Sequence, residues 1–180
     1  MPISFTATAD QIAKHLIPAL SEEIRKQGHR LTGALEKSFE HRTKNVTDGV
    51  DIEFWRNNYG RFVNRGVRAS RIPYSGRSGT GGTSKYIQGL KRFAELRGMG
   101  RGKRALQIAF AIAAKHRKEG MPTRPSFRFS KNGRRKGFED WTLKEQENKI
   151  AAIATDKMLT AIDLDVMGMV DKYDLLINSN

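Results

Sequence analysis

The chain contains no cysteine, which excludes disulfide frameworks and thiolate zinc sites and fits synthesis in a reducing cytosol. Histidine is sparse: His15, His29, His41 and His116 are scattered, with none of the H-x-x-x-H spacing of a zinc-binding helix. No stretch approaches the ~20 apolar residues of a membrane span. The start, Met1-Pro2-Ile3-Ser4-Phe5-Thr6, lacks the basic and apolar regions of a secretion signal. A nucleophile elbow of the form G-x-S-x-G is missing. The glycine-rich stretch Ser75 to Ser84 fails as a phosphate-binding loop, because Gly82 rather than lysine follows Gly81. Its composition is that of a flexible linker. The expectation is therefore a chain with no catalytic, metal or cofactor site. Apolar residues are also few, 38%, against ~45–50% with Gly counted in ordinary domains, so a modest core that leans on neighbours is expected.

Acid is the other scarce commodity. Nineteen Asp and Glu face 33 Lys and Arg, a net charge of +14, and the imbalance is local. Between Gly66 and Gly120 thirteen basic residues meet only Glu95 and Glu119, so eleven of the fourteen net charges lie there. Ten of these are candidates for an anion-facing surface: Arg68, Arg71, Arg77, Lys85, Lys91, Arg92, Arg97, Arg101, Lys103 and Arg104. Like charges at this density repel and disfavour compaction, so an anionic partner is the simplest rationale. Nucleic acid and an acidic protein neighbour both satisfy it. No RNP pair, KH loop or zinc finger is present. Tyr74, Tyr86 and Phe93 lie among the cations, but the helical spacing of the last two assigns them to a core rather than to base stacking.

Periodicity gives an α+β chain. Ile12, Leu16, Leu20 and Ile24 predict a helix over about 9–27, bent or restarted at Pro18. Residues 39–44 and 50–55 read as strands around hairpin chemistry at Asp48-Gly49. Two helices, about 84–98 and 102–118, flank Gly98-Met99-Gly100-Arg101-Gly102 and form a basic helical hairpin. A second hairpin is expected around Lys131-Asn132-Gly133. Thr142-Leu143-Lys144-Glu145 reads as a capping box opening a helix of about 143–162. The expected organisation is a core of 1–66 plus 120–162, a basic insertion over 67–119 and a tail over 163–180. The small antiparallel sheet then packs against an N-terminal and a C-terminal helix.

Three motifs complete the reading: Leu31-Thr32-Gly33-Ala34-Leu35-Glu36-Lys37-Ser38-Phe39, Tyr59-x-x-Phe62-Val63-x-x-Gly66, and Gly120-Met121-Pro122-Thr123-Arg124-Pro125-Ser126-Phe127. In this order and spacing the chain resembles the minor tail-component family of tailed bacteriophages, also called neck, tail-completion or head–tail joining proteins. That family carries a T-G-A-L-x-x-S turn, a Y-x-x-F-x-x-G segment and a P-x-R-P-F element. The resemblance marks Thr32, Gly33, Ala34, Leu35, Ser38, Tyr59, Phe62, Gly66, Pro122, Arg124, Pro125 and Phe127, mainly as structural positions. Tyr59, Phe62, Leu35 and Phe39 are expected to be buried, and a strand is expected between the third motif and the last helix. The chain departs from the pattern at Asn64, where an acid is common, at Arg30-Leu31, and at Ser126, which interrupts the arginine–proline–phenylalanine run.

The resemblance implies a virion protein made in the host cytoplasm, a closed homo-oligomeric ring, hexameric or dodecameric, between connector and tail. Its partners would be the adjoining connector and tail proteins, with transient contact to passing genomic DNA and none with membrane. A free, sequence-independent nucleic-acid-binding protein remains the alternative, and a nuclease-like or toxin-like enzyme a third.

Overall fold

The computed structural model describes residues 5–47, 49–76 and 84–177. Its elements are α1 (Phe5–Lys26), β1 (Glu40–Val46), β2 (Gly49–Trp55), α2 (Gly60–Arg65), α3 (Lys85–Leu96), α4 (Gly102–Glu119) and α5 (Phe138–Ile177). The fold is α+β, with one two-stranded antiparallel sheet among the described residues. The chain forms two compact units. One gathers the described residues of Met1–Ala19, Glu40–Trp55 and Trp141–Asn180; the other holds Leu20–Phe39 and the described part of Arg56–Asp140.

In the first unit, Ala9, Ala13 and Leu16 are buried on one face of α1, the spacing of a single helical stripe. The helix runs through Pro18 without a break in its assignment. The sheet pairs His41 with Phe54, Thr43 with Ile52 and Val46 with Gly49. Its half-buried side chains fall on alternate positions, His41 and Thr43 opposite the half-buried Ile52 and exposed Phe54. Two polar contacts fasten α1 to β1: Thr6 Oγ1 donates to Asn45 Oδ1 at 2.9 Å, and His41 Nε2 lies 3.4 Å from Asp10 Oδ1. His15 Nε2 and Gln146 Oε1, 2.7 Å apart, join α1 to α5.

The second unit begins where α1 buries Leu20, Glu23, Ile24 and Gln27. The helix ends in a Schellman motif. The His29 N–H donates to the Ile24 carbonyl and that of Gly28 to Arg25, both at 3.0 Å. Gly28 has φ +74°, and a Cβ there would sit 2.0 Å from the Phe129 carbonyl oxygen. The following T-G-A-L turn has Gly33 at φ +76° and buries Leu35 and Phe39. Ser38 Oγ donates to the Leu35 carbonyl and accepts from the Asn57 N–H, tying the turn to the chain that enters α2.

The basic segment closes at its base. Val67 and Met121 exchange backbone hydrogen bonds of 2.6 and 2.8 Å, which brings its two ends, next to Gly66 and Gly120, side by side. Above this closure α3 and α4 pack through Ile87, Ala94, Ala105, Ala109 and Ala113, all buried. Alanine at every fourth position of α4 leaves room for the facing helix. Tyr74, Tyr86, Leu90, Leu106 and Phe110 are half-buried around this core.

Four expectations are corrected. The last helix starts at Phe138, not beyond Thr142, and continues to Ile177 through the unassigned tail. Its first turn is capped from afar, because Asn64 Oδ1 accepts the Glu139 N–H at 3.1 Å. Thr142, the supposed cap, is instead buried inside the helix. Neither a hairpin around Asn132-Gly133 nor a strand after Phe127 forms; side chains of α1 hold that stretch as a loop. Finally, Tyr59 and Phe62 are 45% and 54% exposed. The buried face of α2 is Gly60 and Asn64, since a Cβ on Gly60 would lie 2.9 Å from Leu35 Cδ1 and the backbone must pass close.

Candidate nucleic-acid or partner interface

The helical hairpin is built to present charge. Ser84 caps α3 by accepting the Ile87 N–H, and Gly98, at φ +68°, ends it with the Met99 N–H on the Ala94 carbonyl. With the alanine face turned inward, the cations point out. Arg68 precedes and Arg71 ends a short 3-10 turn, Ala69–Arg71, and both are exposed, as are Lys85, Arg92, Arg101, Lys103 and Arg104. Among the described residues none of these seven pairs with a carboxylate. Arg77 lies outside the described residues.

Two of the ten candidates are engaged locally. Lys91 is half-buried and sits 3.7 Å from Glu95 one turn on. Arg97 donates to the Gly28 and Arg30 carbonyls at 3.3 and 2.9 Å, with its guanidinium 5.6 Å from the Phe93 ring centre. It therefore fastens the end of α3 to the T-G-A-L turn and is structural. Lys115 pairs with Glu119 at 2.7 Å, whose carboxyl is held below the usual range first by this hydrogen bond. Arg117 is bonded to the Ser75 carbonyl.

The placement of the remaining cations is electrostatically adverse within the chain. Arg101 is the N-cap of α4, and Lys103 and Arg104 occupy its first turn, which has no acid. The amino end of a helix carries the positive end of its dipole, so each cation there costs roughly 0.3–1 kcal/mol. An anion brought from outside reverses the sign of that term.

The family-motif residues mark a different place. Ile24, the segment 29–36, Tyr59 and Val63 line a cleft of about 220 Å³. Inside it the Glu36 carboxylate is bonded by Arg25 Nε at 2.8 Å through Oε2, while Oε1 lies 3.5 Å from Arg30 Nε without a hydrogen bond. This ion cluster steadies the turn. Gly66 caps α2 at φ +75°, and Pro122 is buried while Arg124, Pro125 and Phe127 are exposed.

The histidines are structural in setting. His116 Nδ1 lies 2.7 Å from Tyr86 Oη. Its pKa is lowered, first by burial and then by Arg135, with Glu119 opposing. His29 is likewise lowered by burial, opposed by its hydrogen bond to the Arg135 carbonyl. Among the described residues no three His, Asp or Glu side chains group as metal ligands, and no helix is long and apolar enough to cross a membrane.

Two features escaped sequence reasoning. One is the polar network around Asn64, which spans 75 positions and leaves no local signal. The other is the loop from Arg124 to Lys136. Six Lys and Arg with no acid between Gly120 and Phe138, interleaved with Phe127 and Phe129, were the available sign. Compared with known proteins, the chain matches no family model, no curated protein and no solved structure.

Proposed function

We propose that this chain is a non-enzymatic structural subunit of the neck or head-proximal tail of a tailed bacteriophage. Copies assemble head-to-tail into a closed ring that joins connector to tail and lets the genome pass. Heterologous contacts close into rings when the rotation per subunit permits it. The observation that carries the reading is the helical hairpin, inserted between the Y-x-x-F-x-x-G and G-x-P-x-R-P motifs, with seven exposed cations that no described carboxylate neutralises. Cations at the adverse end of α4 make sense in a chain whose stable form has polyanion or acidic protein beside it. Passage of a genome requires weak, sequence-independent phosphate contacts, which lysine and arginine spread over two helices supply.

The three ordered motifs give the reading its family, and the close approach of Gly66 and Gly120 gives it the insertion that such a family tolerates. The same exposed cations also suit a free nucleic-acid-binding protein, and ring formation separates the two. The test is the mass of the purified chain, alone and mixed with connector and tail proteins of the same phage. A defined multimer of six or twelve subunits is expected in the mixture. A monomer under both conditions that binds DNA would favour the alternative.

A further inference from the structure

The aromatics best placed to meet a ligand are not in the helical hairpin. Phe127 is 78% exposed and Phe129 51%, both in the loop between Gly120 and Phe138 that has six basic residues and no acidic one. This loop is held in place. The Lys131 N–H donates to the Lys26 carbonyl at 2.7 Å, Asn132 Nδ2 to Glu23 Oε1 at 2.8 Å, and Gln27 Nε2 to the Lys136 carbonyl at 3.2 Å. His29 Nε2 and the Gly137 N–H complete the set, on the Arg135 and Asn64 carbonyls. Glu23 and Gln27 are buried, and the bonds that anchor this irregular loop offset part of their desolvation cost.

The Phe127 ring rests on Gly133. A Cβ at that glycine, whose φ is +74°, would lie 3.1 Å from Phe127 Cε2 and Cζ, so a side chain there would push the ring aside. The outer edge of the ring is the part that meets Gly133, and most of the side chain is left exposed. Phe129 is flanked by the guanidinium groups of Arg128 and Arg135, 5.4 and 5.3 Å from its centre. In the same loop Arg124, Arg128, Lys131 and Lys136 are exposed. Two carboxylates bonded to this loop are already engaged: Glu119 to Lys115 and the Arg124 N–H, and Glu23 to Gln27 and Asn132.

We infer that this loop is a stacking platform for unpaired bases of single-stranded nucleic acid, with Phe127 as the stacking ring. An exposed aromatic in an anchored loop of cations is the chemistry that takes a base on the ring and its phosphates on neighbouring side chains without reading sequence. In duplex DNA the base faces are already stacked, so Phe127 adds nothing there and only the cations act. The inference rests on the reading above only in taking nucleic acid as a partner of this chain, and it adds a preference for strand ends or gaps.

The test uses the full chain and fluorescence anisotropy at one salt concentration, with a labelled mixed-sequence oligonucleotide of about 16 nucleotides and the same oligonucleotide as a duplex. Phe127→Ala is expected to lower single-strand affinity about tenfold, the order of one lost stacked base, and to leave duplex affinity unchanged. Phe127→Trp should restore it, and Lys131→Ala should weaken both. Thermal melting of each variant checks that the fold persists, as expected for so exposed a ring. Equal effects of Phe127→Ala on both nucleic acids, or none, would overturn the inference and leave the neck reading standing. So would a change in oligomeric mass on that substitution, which would assign the ring to a second copy. Loss of binding to anionic phospholipid vesicles in place of single strands would assign it to a membrane. A ring that forms in the virion while Phe127→Ala leaves single-strand binding intact separates the two claims.

Discussion

Asn64→Asp puts an acid where the resembling family commonly has one, and the structure predicts that this chain will not tolerate it well. Asn64 is 6% exposed and uses both ends of its amide on one neighbour. Nδ2 donates to Glu139 Oε2 at 2.7 Å, and Oδ1 accepts the Glu139 N–H at 3.1 Å. Glu139 is also bonded at 2.5 Å by Arg56 through Nε. The substitution keeps the acceptor that caps α5 and gains from placing negative charge at a helix start, about 0.3–1 kcal/mol. It loses a hydrogen bond to a charged acceptor, about 1.5–3 kcal/mol. It also sets two carboxylates in contact, a term we hold to roughly 1 kcal/mol because the Glu139 side chain is 32% exposed and Arg56 is beside it.

Loss outweighs gain by roughly 2–3 kcal/mol. At about 2–4 °C per kcal/mol for a chain of this size, the melting temperature at pH 7 should fall roughly 4–12 °C. Acid provides the signature. Protonating one of the two carboxylates restores a donor and removes the repulsion, so the deficit relative to wild type should shrink as pH falls from 7 to 4. Asn64→Ala, which lacks the carboxylate pair, should show no such recovery. A variant as stable as wild type at pH 7, or a deficit independent of pH, would refute the reasoning.

Other consequences follow from burial and charge. Phe138→Ala should cost about 3–5 kcal/mol in urea unfolding, because the ring is fully buried and packs edge-on against Phe39 at 6.3 Å. Phe62→Ala, at a half-exposed site, should stay within about 0.5 kcal/mol. His29 and His116 have lowered pKa values in the fold, so the unfolded chain binds protons first. The stability they contribute is complete above the unfolded value near 6.5 and is lost as pH falls through it towards the folded values. The urea midpoint should therefore drop between pH 7 and 5, less steeply in His116→Gln; an unchanged slope would remove His116 from the account. Replacing residues 68–119 by a short glycine linker should leave a cooperative thermal transition, since Val67 and Met121 already lie side by side. Loss of the transition would make the contacts of Arg97 with the T-G-A-L turn essential.

The limits of sequence reading fall at identifiable places. The bounds of α3 and α4 were readable because their apolar period and the glycines between them act locally, and Lys85–Leu96 and Gly102–Glu119 fall close to expectation. The start of α5 was not, because a local capping box at Thr142 competed with a cap delivered from Asn64. Asn132-Gly133 has the chemistry of a hairpin turn, but Glu23 and Gln27 capture the surrounding backbone before a partner strand can. On α2 the motif's aromatics suggested a core, whereas a close backbone approach at Gly60 turns its small and polar face inward. The exposed charge of the hairpin could be read from composition alone. The loop around Phe127 showed its charge and aromatics in the sequence, but its anchoring by Glu23 and Gln27, each 109 positions from the residue it binds, left no local signal.

The central claim is that the basic hairpin serves an assembled ring. Electron cryomicroscopy of the chain mixed with the connector and tail proteins of the proposed neck tests this directly. A closed ring is expected, in which Arg68, Arg71, Lys85, Arg92, Arg101, Lys103 and Arg104 lie mostly within a Debye length, about 8 Å at physiological salt, of the channel or of a neighbour's acidic residues. No ring, or a ring with these side chains on the outer wall touching nothing, would contradict it.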